Sequence, residues 1–286
     1  MLRSPDPLTS EAPRVADWDS AVRDFLRRAG RRSGLNLSGE ALDALPKSYR
    51  YLVPARRAAR DLALIAAKRD SEIVELRPLR GPGTDVDRYE VRLIGAKDRA
   101  LDELLPMLQN LGLRVADQIQ FALNLSIGPR FIRSFIVEPS MRSGVSVARS
   151  RSRLLEALKA VISAEVESDA LNGLVLVTEL DWRQIDLFRA YSNYYQQLGL
   201  RIERARIYRA LLHSPAVAQL LYRYFEARFE PDRGGRDSFE IELESLTPIR
   251  AQLVDVLDKV TDGGDDRILR DRFNLIDATV RTNLYF

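Results

Sequence analysis

The spacing of the hydrophobic residues changes at Tyr89, and this change constrains the fold more than any other feature of the chain. Hydrophobic and polar residues alternate over residues 89–95, 115–125 and 131–137, which predicts three strands. Leucines at spacings of three and four predict a helix between the first two strands, and a second helix follows the third strand. This order is five sixths of a ferredoxin-like βαββαβ unit, in which helices cover one face of an antiparallel sheet. No clear candidate exists for the last strand.

Helical spacing dominates on both sides of this unit, so we expect an α+β fold flanked by helices and followed by an all-α region. Residues 1–16 contain three prolines and no apolar segment, which predicts a mobile tail. Proline and glycine between residues 77 and 87 predict a turn region that separates two parts of the chain. The expected parts are a tail (1–16), an N-terminal helical segment (17–76), an α+β domain (85–168) and a helical region (169–286).

The catalytic options are narrow, because the chain has no cysteine and a single histidine, His213. A disulfide framework, a thiolate-bound metal and a cysteine nucleophile are excluded, and zinc bound without cysteine normally needs two or three imidazoles. His213 precedes Ser214-Pro215, a helix-start signature, which favours a capping or surface role. The nearest approach to a phosphate-binding loop, Gly81-Pro82-Gly83, follows no predicted strand and predicts a turn. We therefore predict no catalytic, cofactor-binding or metal-binding residue in this chain.

Gly95 is the one candidate binding residue. It lies between the first predicted strand and the first predicted helix, where a glycine lets a ligand approach the backbone. A plain turn glycine is the alternative and remains open. The acidic residues Asp262, Asp265 and Asp266 lack the spacing of a calcium loop, which favours a role as helix caps.

The charge pattern gives little support to binding of nucleic acid or a membrane. The formal net charge is +3. Five arginines crowd residues 23–32, but acidic residues lie among and beside them, which favours a solvated helix face. No apolar stretch approaches the ~20 residues that span a bilayer, and the N-terminus lacks the apolar segment of a signal peptide. We therefore expect a cytoplasmic protein.

Three blocks in the helical region carry distinctive motifs. They span residues 170–199, 211–231 and 265–286, and they contain Trp182-Arg183, Arg189-Ala190-Tyr191, Phe225 to Pro231 and Arg281-Thr282-Asn283. In order and spacing these blocks resemble the large bacterial NAD-dependent glutamate dehydrogenases, in the region just before their catalytic domain. Upstream, residues 51–66 and 91–115 are similar to the helix before the family's last regulatory domain and to the first strand and helix of that domain.

The resemblance implies a part of a cytoplasmic, homo-oligomeric enzyme that deaminates L-glutamate to 2-oxoglutarate and ammonium and passes hydride to NAD. It implies that the NAD site and the catalytic residues lie in a downstream catalytic domain beyond Phe286, so that this chain holds no cofactor and is inactive alone. The implied role is regulatory and structural: an ACT-like domain that senses an amino-acid effector or joins subunits, plus helices that dock the catalytic domain. The apolar end at Leu284, Tyr285 and Phe286 also predicts a fragment. A stand-alone α+β and helical binding module, for a protein partner or nucleic acid, remains the alternative.

Overall fold

The computed structural model describes residues 15–33, 42, 45–69, 71–79, 88–140, 147–199, 202–231 and 242–284. It is an α+β fold with one four-stranded antiparallel sheet and a helical region. Residues 1–14 of the predicted tail, and most of the predicted turn region around residues 80–87, lie outside the described part. Backbone contacts divide the chain into two compact units, one made of residues 1–77, 90–100 and 116–136 and the other of residues 78–89, 101–115 and 137–286.

The sheet has the strand order β1-β2-β4-β3. Its strands are β1 (Ile73–Pro78), β2 (Tyr89–Gly95), β3 (Leu113–Leu125) and β4 (Gly128–Pro139). The three strands expected from the alternating pattern are confirmed, and β3 and β4 extend beyond the predicted ends. Gly128 turns the chain between β3 and β4 with a φ of +96°, which a residue with a side chain rarely adopts.

Strand β1 corrects the sequence-based expectation that residues 17–76 are helical. Its six residues pair with β2 along the edge of the sheet, and the amide of Leu79 donates to the carbonyl of Arg88 at 2.8 Å beyond the strand ends. The sequence IVELRP is short and ends in proline, so its alternation is too brief to outweigh the preceding helical pattern. Pairing with a neighbouring strand decides its conformation.

The first unit joins three helices to one face of the sheet. The helices are α1 (Val15–Ser33), α2 (Lys47–Leu52) and α3 (Ala55–Ala67). Their apolar sides and the sheet form one hydrophobic core, whose members include Trp18, Val22, Tyr49, Leu62, Ile94, Phe121, Leu123 and Ile132. The indole of Trp18 donates to the carbonyl of Val53 at 2.8 Å, and the rings of Tyr49 and Phe121 meet edge to face at 4.9 Å.

The second unit is predominantly helical. Its helices are α4 (Leu101–Asn110), α5 (Val147–Ile162), α6 (Leu174–Val177), α7 (Trp182–Gln197), α8 (Arg204–His213), α9 (Pro215–Phe229), α10 (Thr247–Leu257) and α11 (Gly263–Ala278). A 3₁₀ turn, Ala170–Gly173, precedes α6, and a π-helical turn, Glu242–Leu246, precedes α10. None of the described helices is both long enough and apolar enough to cross a membrane.

The predicted helix boundaries in this unit are confirmed where a specific residue sets them. Asp181 caps α7 by accepting from the amides of Arg183 and Gln184, and the Gln184 side chain completes the capping box. Pro215 occupies the first turn of α9, where its missing N–H has no cost. Gly112 ends α4 with a φ of +77°.

Candidate functional site

A buried ionic cluster in the first unit combines Tyr49, Asp61, Glu75 and Arg92. The guanidinium of Arg92 donates to both carboxylate oxygens of Asp61, at 2.7 and 2.6 Å, and its Nη1 lies 3.3 Å from Glu75 Oε2. The hydroxyl of Tyr49 donates to Asp61 Oδ2 at 2.6 Å. Asp61 and Arg92 are almost completely buried. The alternation of β2 groups Arg92 with Glu90 and Ile94 and does not report a contact with Asp61 on α3, so the sequence does not predict this cluster.

The opposite charges of this cluster stabilise one another, and they shift the pKa values of Tyr49, Arg92 and Glu75. Burial, followed by the Asp61 carboxylate, raises the pKa of Tyr49 far above its usual value. Burial opposes the charge on Arg92, but hydrogen bonds and attraction from Asp61 outweigh it and raise the pKa of Arg92. Burial would likewise raise the pKa of Glu75, yet the nearby arginines, Arg77 first, lower it. Groups that satisfy one another in this way favour a structural role over a catalytic one.

Gly95 ends β2 as predicted, and a side chain occupies the space beside it. A Cβ built on Gly95 would lie 3.4 Å from Cγ of Glu72. Glu72 is held in place by Arg99, whose Nε and Nη2 donate to its carboxylate at 3.1 Å. A ligand at this backbone would therefore meet the ion pair of Glu72 and Arg99. The proposed effector role of Gly95 stays a prediction.

The structure brings two of the remaining sequence candidates, His213 and Asp265, together, and these candidates occupy ordinary structural positions. His213, the last residue of α8, is more than half exposed, and its Nδ1 lies 3.2 Å from Asp265 Oδ2. Asp262 caps α11 by accepting from the amide of Asp265 at 2.8 Å, as expected for a helix cap. Arg23, Arg27 and Arg28 are exposed on α1. In the described parts of the chain, no group of three or more metal-ligating side chains is placed to hold an ion.

An apolar cavity of about 650 Å³ opens in the second unit. The side chains that line it come from α7, α9, α11 and the segment that follows α11. They are Asp186, Leu187, Ala190, Tyr191, Tyr194, Phe225, Leu275, Ala278, Thr279, Val280, Arg281, Thr282, Asn283 and Leu284. Its volume lies within the ~300–1,000 Å³ that ligand pockets occupy. Two motifs from the sequence analysis, Arg189-Ala190-Tyr191 and Arg281-Thr282-Asn283, contribute to its lining.

Thr279 fixes the start of the segment that forms one wall of the cavity. Its hydroxyl donates to the carbonyl of Leu275 at 2.7 Å and lies 2.7 Å from the hydroxyl of Tyr191. Arg228 of α9 donates to the carbonyl of Thr279 at 3.0 Å. The ring of Phe225 lies edge to face with Tyr191 in the cavity floor. The wall is therefore tied to three helices.

Asp277, at the end of α11, strengthens this attachment. It accepts hydrogen bonds from the hydroxyl of Tyr224, from Arg250 at 3.1 Å and from Arg228 at 3.2 Å. The hydrogen bond from Tyr224, followed by those from Arg250, lowers the pKa of Asp277 below its usual value. The carboxylate stays ionised near neutral pH, so these contacts persist there.

The rim of the cavity presents large hydrophobic side chains to solvent. Val280 is 85% exposed, Tyr194 50% and Leu284 43%. Single exposed hydrophobic residues are common on soluble proteins, but several at the mouth of one apolar cavity mark a binding surface. We call these three residues, together with Tyr191 and Phe225 in the cavity floor, the rim surface. The sequence predicts an apolar end at Leu284 but no site there, because only the folded chain brings α7 and the segment after α11 to one cavity.

Comparison with known proteins shows which family this chain is similar to. The sequence model of the family described as glutamate dehydrogenase, helical motif 3, matches residues 166–231. An NAD-specific glutamate dehydrogenase of Halomonas elongata is 30% identical over 276 residues, covering 94% of this chain and 16% of the relative. A protein of the same name from Pseudomonas aeruginosa gives the same identity and coverage. One from Mycobacterium tuberculosis is 29% identical over 252 residues. The chain spans about a sixth of the length of these curated relatives.

Proposed function

Because the chain belongs to the family of the large NAD-specific glutamate dehydrogenases, of which it matches one segment, we propose that it is a non-catalytic part of such an enzyme. The complete enzyme would convert L-glutamate and NAD to 2-oxoglutarate, ammonium and NADH, in the cytoplasm and as a homo-oligomer. In this proposal the segment lies before the catalytic domain and supplies a docking surface for it.

The rim surface is the observation that carries the docking role. Val280 and Leu284 project from a segment that Thr279 and Asp277 hold against the helices, so the surface is preformed. Burying apolar surface of this kind stabilises a contact by about 25 cal/mol per Å² before the costs of association. In the Halomonas elongata relative, about five sixths of the chain lies outside the matched segment. We propose that the partner of the rim surface belongs to that part of the enzyme.

The arrangement of the sheet supports an ACT-like, ferredoxin-type domain within the proposed boundaries 85–168. Strand β2 and α4, then β3, β4 and α5, follow the order of that unit, and the strand order places β2 and β4 in its centre. Strand β1 takes the edge position beside β2 that the last strand of such a unit normally occupies. In this proposal the domain binds an amino-acid effector near Gly95.

A direct assay tests the non-catalytic role. The purified 286-residue chain, incubated with L-glutamate and NAD, should produce no NADH above a blank without protein, because the catalytic residues would lie in another part of the enzyme. Measurable glutamate-dependent NADH formation would refute the proposal. Absorbance at the NADH band is the readout.

A binding experiment tests the docking surface. The partner is the Pseudomonas aeruginosa relative with the matched segment deleted, and binding is measured by calorimetry. The wild-type chain should bind it, and Val280→Glu should weaken binding at least tenfold, because a charge would be buried in an apolar contact. Tyr51→Glu, at a similarly exposed residue of the first unit, serves as the control and should change affinity less than about twofold. Equal effects of the two substitutions, or no binding by the wild-type chain, would exclude docking through this surface.

A further inference from the structure

Arg272 of α11 is a buried cation without a hydrogen-bonding partner. Its side chain is 1% exposed, and among the described residues no acceptor meets its Nε, Nη1 or Nη2. Arg92 is equally buried, yet Asp61 receives two of its hydrogen bonds. Of the arginines that the structure describes, Arg92 and Arg272 are the most deeply buried, and only Arg92 has a counter-charge in contact.

The charge on Arg272 persists at neutral pH. Burial lowers the pKa of Arg272 to about 10, and attraction from Tyr195, Asp271 and Tyr208 offsets only part of the loss of hydration. Its guanidinium lies over the ring of Tyr195, with 4.5 Å between the Cζ atom and the ring centroid. The ring face attracts the cation but offers no lone pair to the five N–H donors.

A second buried donor that lacks a partner among the described residues lies on α8, a helix in contact with α11. The hydroxyl of Tyr208 on α8 is buried and has no hydrogen-bond partner in the described part of the chain. Helix α8, which carries Tyr208, packs against α11, which carries Arg272, and Tyr208 acts electrostatically on Arg272. The carboxylate of Asp271 also acts on Arg272, but it accepts the hydrogen bond of the Tyr195 hydroxyl at 2.8 Å. The site thus combines a positive charge with donors that lack an acceptor.

We propose that Arg272 and Tyr208 bind a small inorganic anion of about the size of chloride, enclosed by α7, α8 and α11. Buried polar groups that lack a protein partner are usually satisfied by an ion or by water. Water would satisfy the hydrogen bonds and leave the positive charge uncompensated, whereas an anion satisfies both. The near-complete burial of Arg272 limits the occupant to a small ion. This site is separate from the rim surface, so the proposal does not depend on the proposed function.

Urea unfolding of the 286-residue chain tests the site by linkage. Chloride replaces gluconate at constant ionic strength, because gluconate is too large for an enclosed site. For one site that exists only in the folded state, the unfolding equilibrium constant should fall tenfold for each tenfold rise in chloride above the dissociation constant. Arg272→Met should abolish this dependence, while Arg267→Met, at an exposed position of the same helix, should preserve it. A wild-type chain whose stability is the same in chloride and gluconate would overturn the proposal.

A milder variant covers the case in which Arg272→Met fails to fold. Tyr208→Phe removes one hydroxyl and keeps the packing, and it should weaken chloride binding by about tenfold, the effect of one lost hydrogen bond to a charged group. Bromide gives a structural readout that needs no variant. Anomalous scattering from a crystal grown in bromide should place an ion within hydrogen-bonding distance of the Arg272 guanidinium. Water at that position, without a bromide signal, would refute the anion site.

Discussion

Replacing Asp61 by asparagine removes the negative charge of Asp61 from the buried cluster and keeps the size of the side chain, so it tests the contribution of the charge to stability. Asp61 accepts two hydrogen bonds from Arg92 and one from Tyr49, all between 2.6 and 2.7 Å. Asparagine keeps the size but loses the charge, so Arg92 would retain only the 3.3 Å contact with Glu75 as a counter-charge. Removing one partner of a buried ion pair costs about 3–5 kcal/mol. We expect a loss of that size, a large fraction of the ~5–15 kcal/mol by which a domain is stable.

A double-mutant cycle shows whether the loss arises from the pair. Arg92→Met alone should cost a similar amount, because it leaves Asp61 charged and buried. The double variant removes both charges, so its cost should be smaller than the sum of the two single costs by about 1–3 kcal/mol. Costs that add to within about 0.5 kcal/mol would refute the reasoning that the two charges compensate each other.

Tryptophan fluorescence during urea unfolding provides the measurement. The chain has two tryptophans, and Trp18 belongs to the same hydrophobic core as Tyr49. A Trp182→Phe background therefore makes Trp18 the single reporter of the first unit. Asp24→Asn, which breaks the exposed ion pair with Arg27 on α1 of the same unit, is the matched control and should cost less than about 1 kcal/mol.

Two further predictions concern pH and backbone conformation. The pKa of Glu75 is lowered in the folded state, so the stability it contributes is present above its unfolded pKa and is lost as the pH falls through the folded value. Glu75→Gln should flatten the fall in stability in this acidic range, whereas Glu156→Gln, at an exposed position, should not; equal pH profiles of the wild-type chain and Glu75→Gln would contradict this. Gly112→Ala should cost about 1–2 kcal/mol in thermal unfolding, because φ is +77° and the new Cβ would lie 3.1 Å from Leu176 Cδ1. Gly263→Ala, with open space around it, should cost less than about 0.5 kcal/mol, and a loss as large as that at Gly112 would contradict the strain argument.

Local patterns predicted most of the elements but few of their long-range contacts. Strand β2 and the start of α7 followed from alternation and from the capping residues Asp181 and Gln184, which act within a few positions. The pairing of Arg92 with Asp61 joins residues 31 positions apart, and no local pattern reports such a contact. For the same reason, the alternation of β2 does not predict that Arg92 is buried.

The cavity illustrates the same limit at a larger separation. Tyr191 and Thr279 lie 88 positions apart, and only the packed helices bring their hydroxyls together. The motifs at both places were recognised from the family resemblance, yet their meeting in one site was not predicted. Strand β1 was missed for a related reason, since its partner β2 and not its own six residues determines that it is extended.

The position of β1 has a consequence for folding during synthesis. Because the edge strand precedes β2 in the chain, all four strands have been made once the ribosome reaches Pro139. The two outer pairings, β1 with β2 and β3 with β4, join strands that are consecutive in the chain, and such local pairings form quickly. In a sheet whose edge strand comes last, the first central strand would wait with one side unpaired. Here the nascent sheet leaves no such strand exposed while the later helices are translated, which lowers its tendency to associate with other chains.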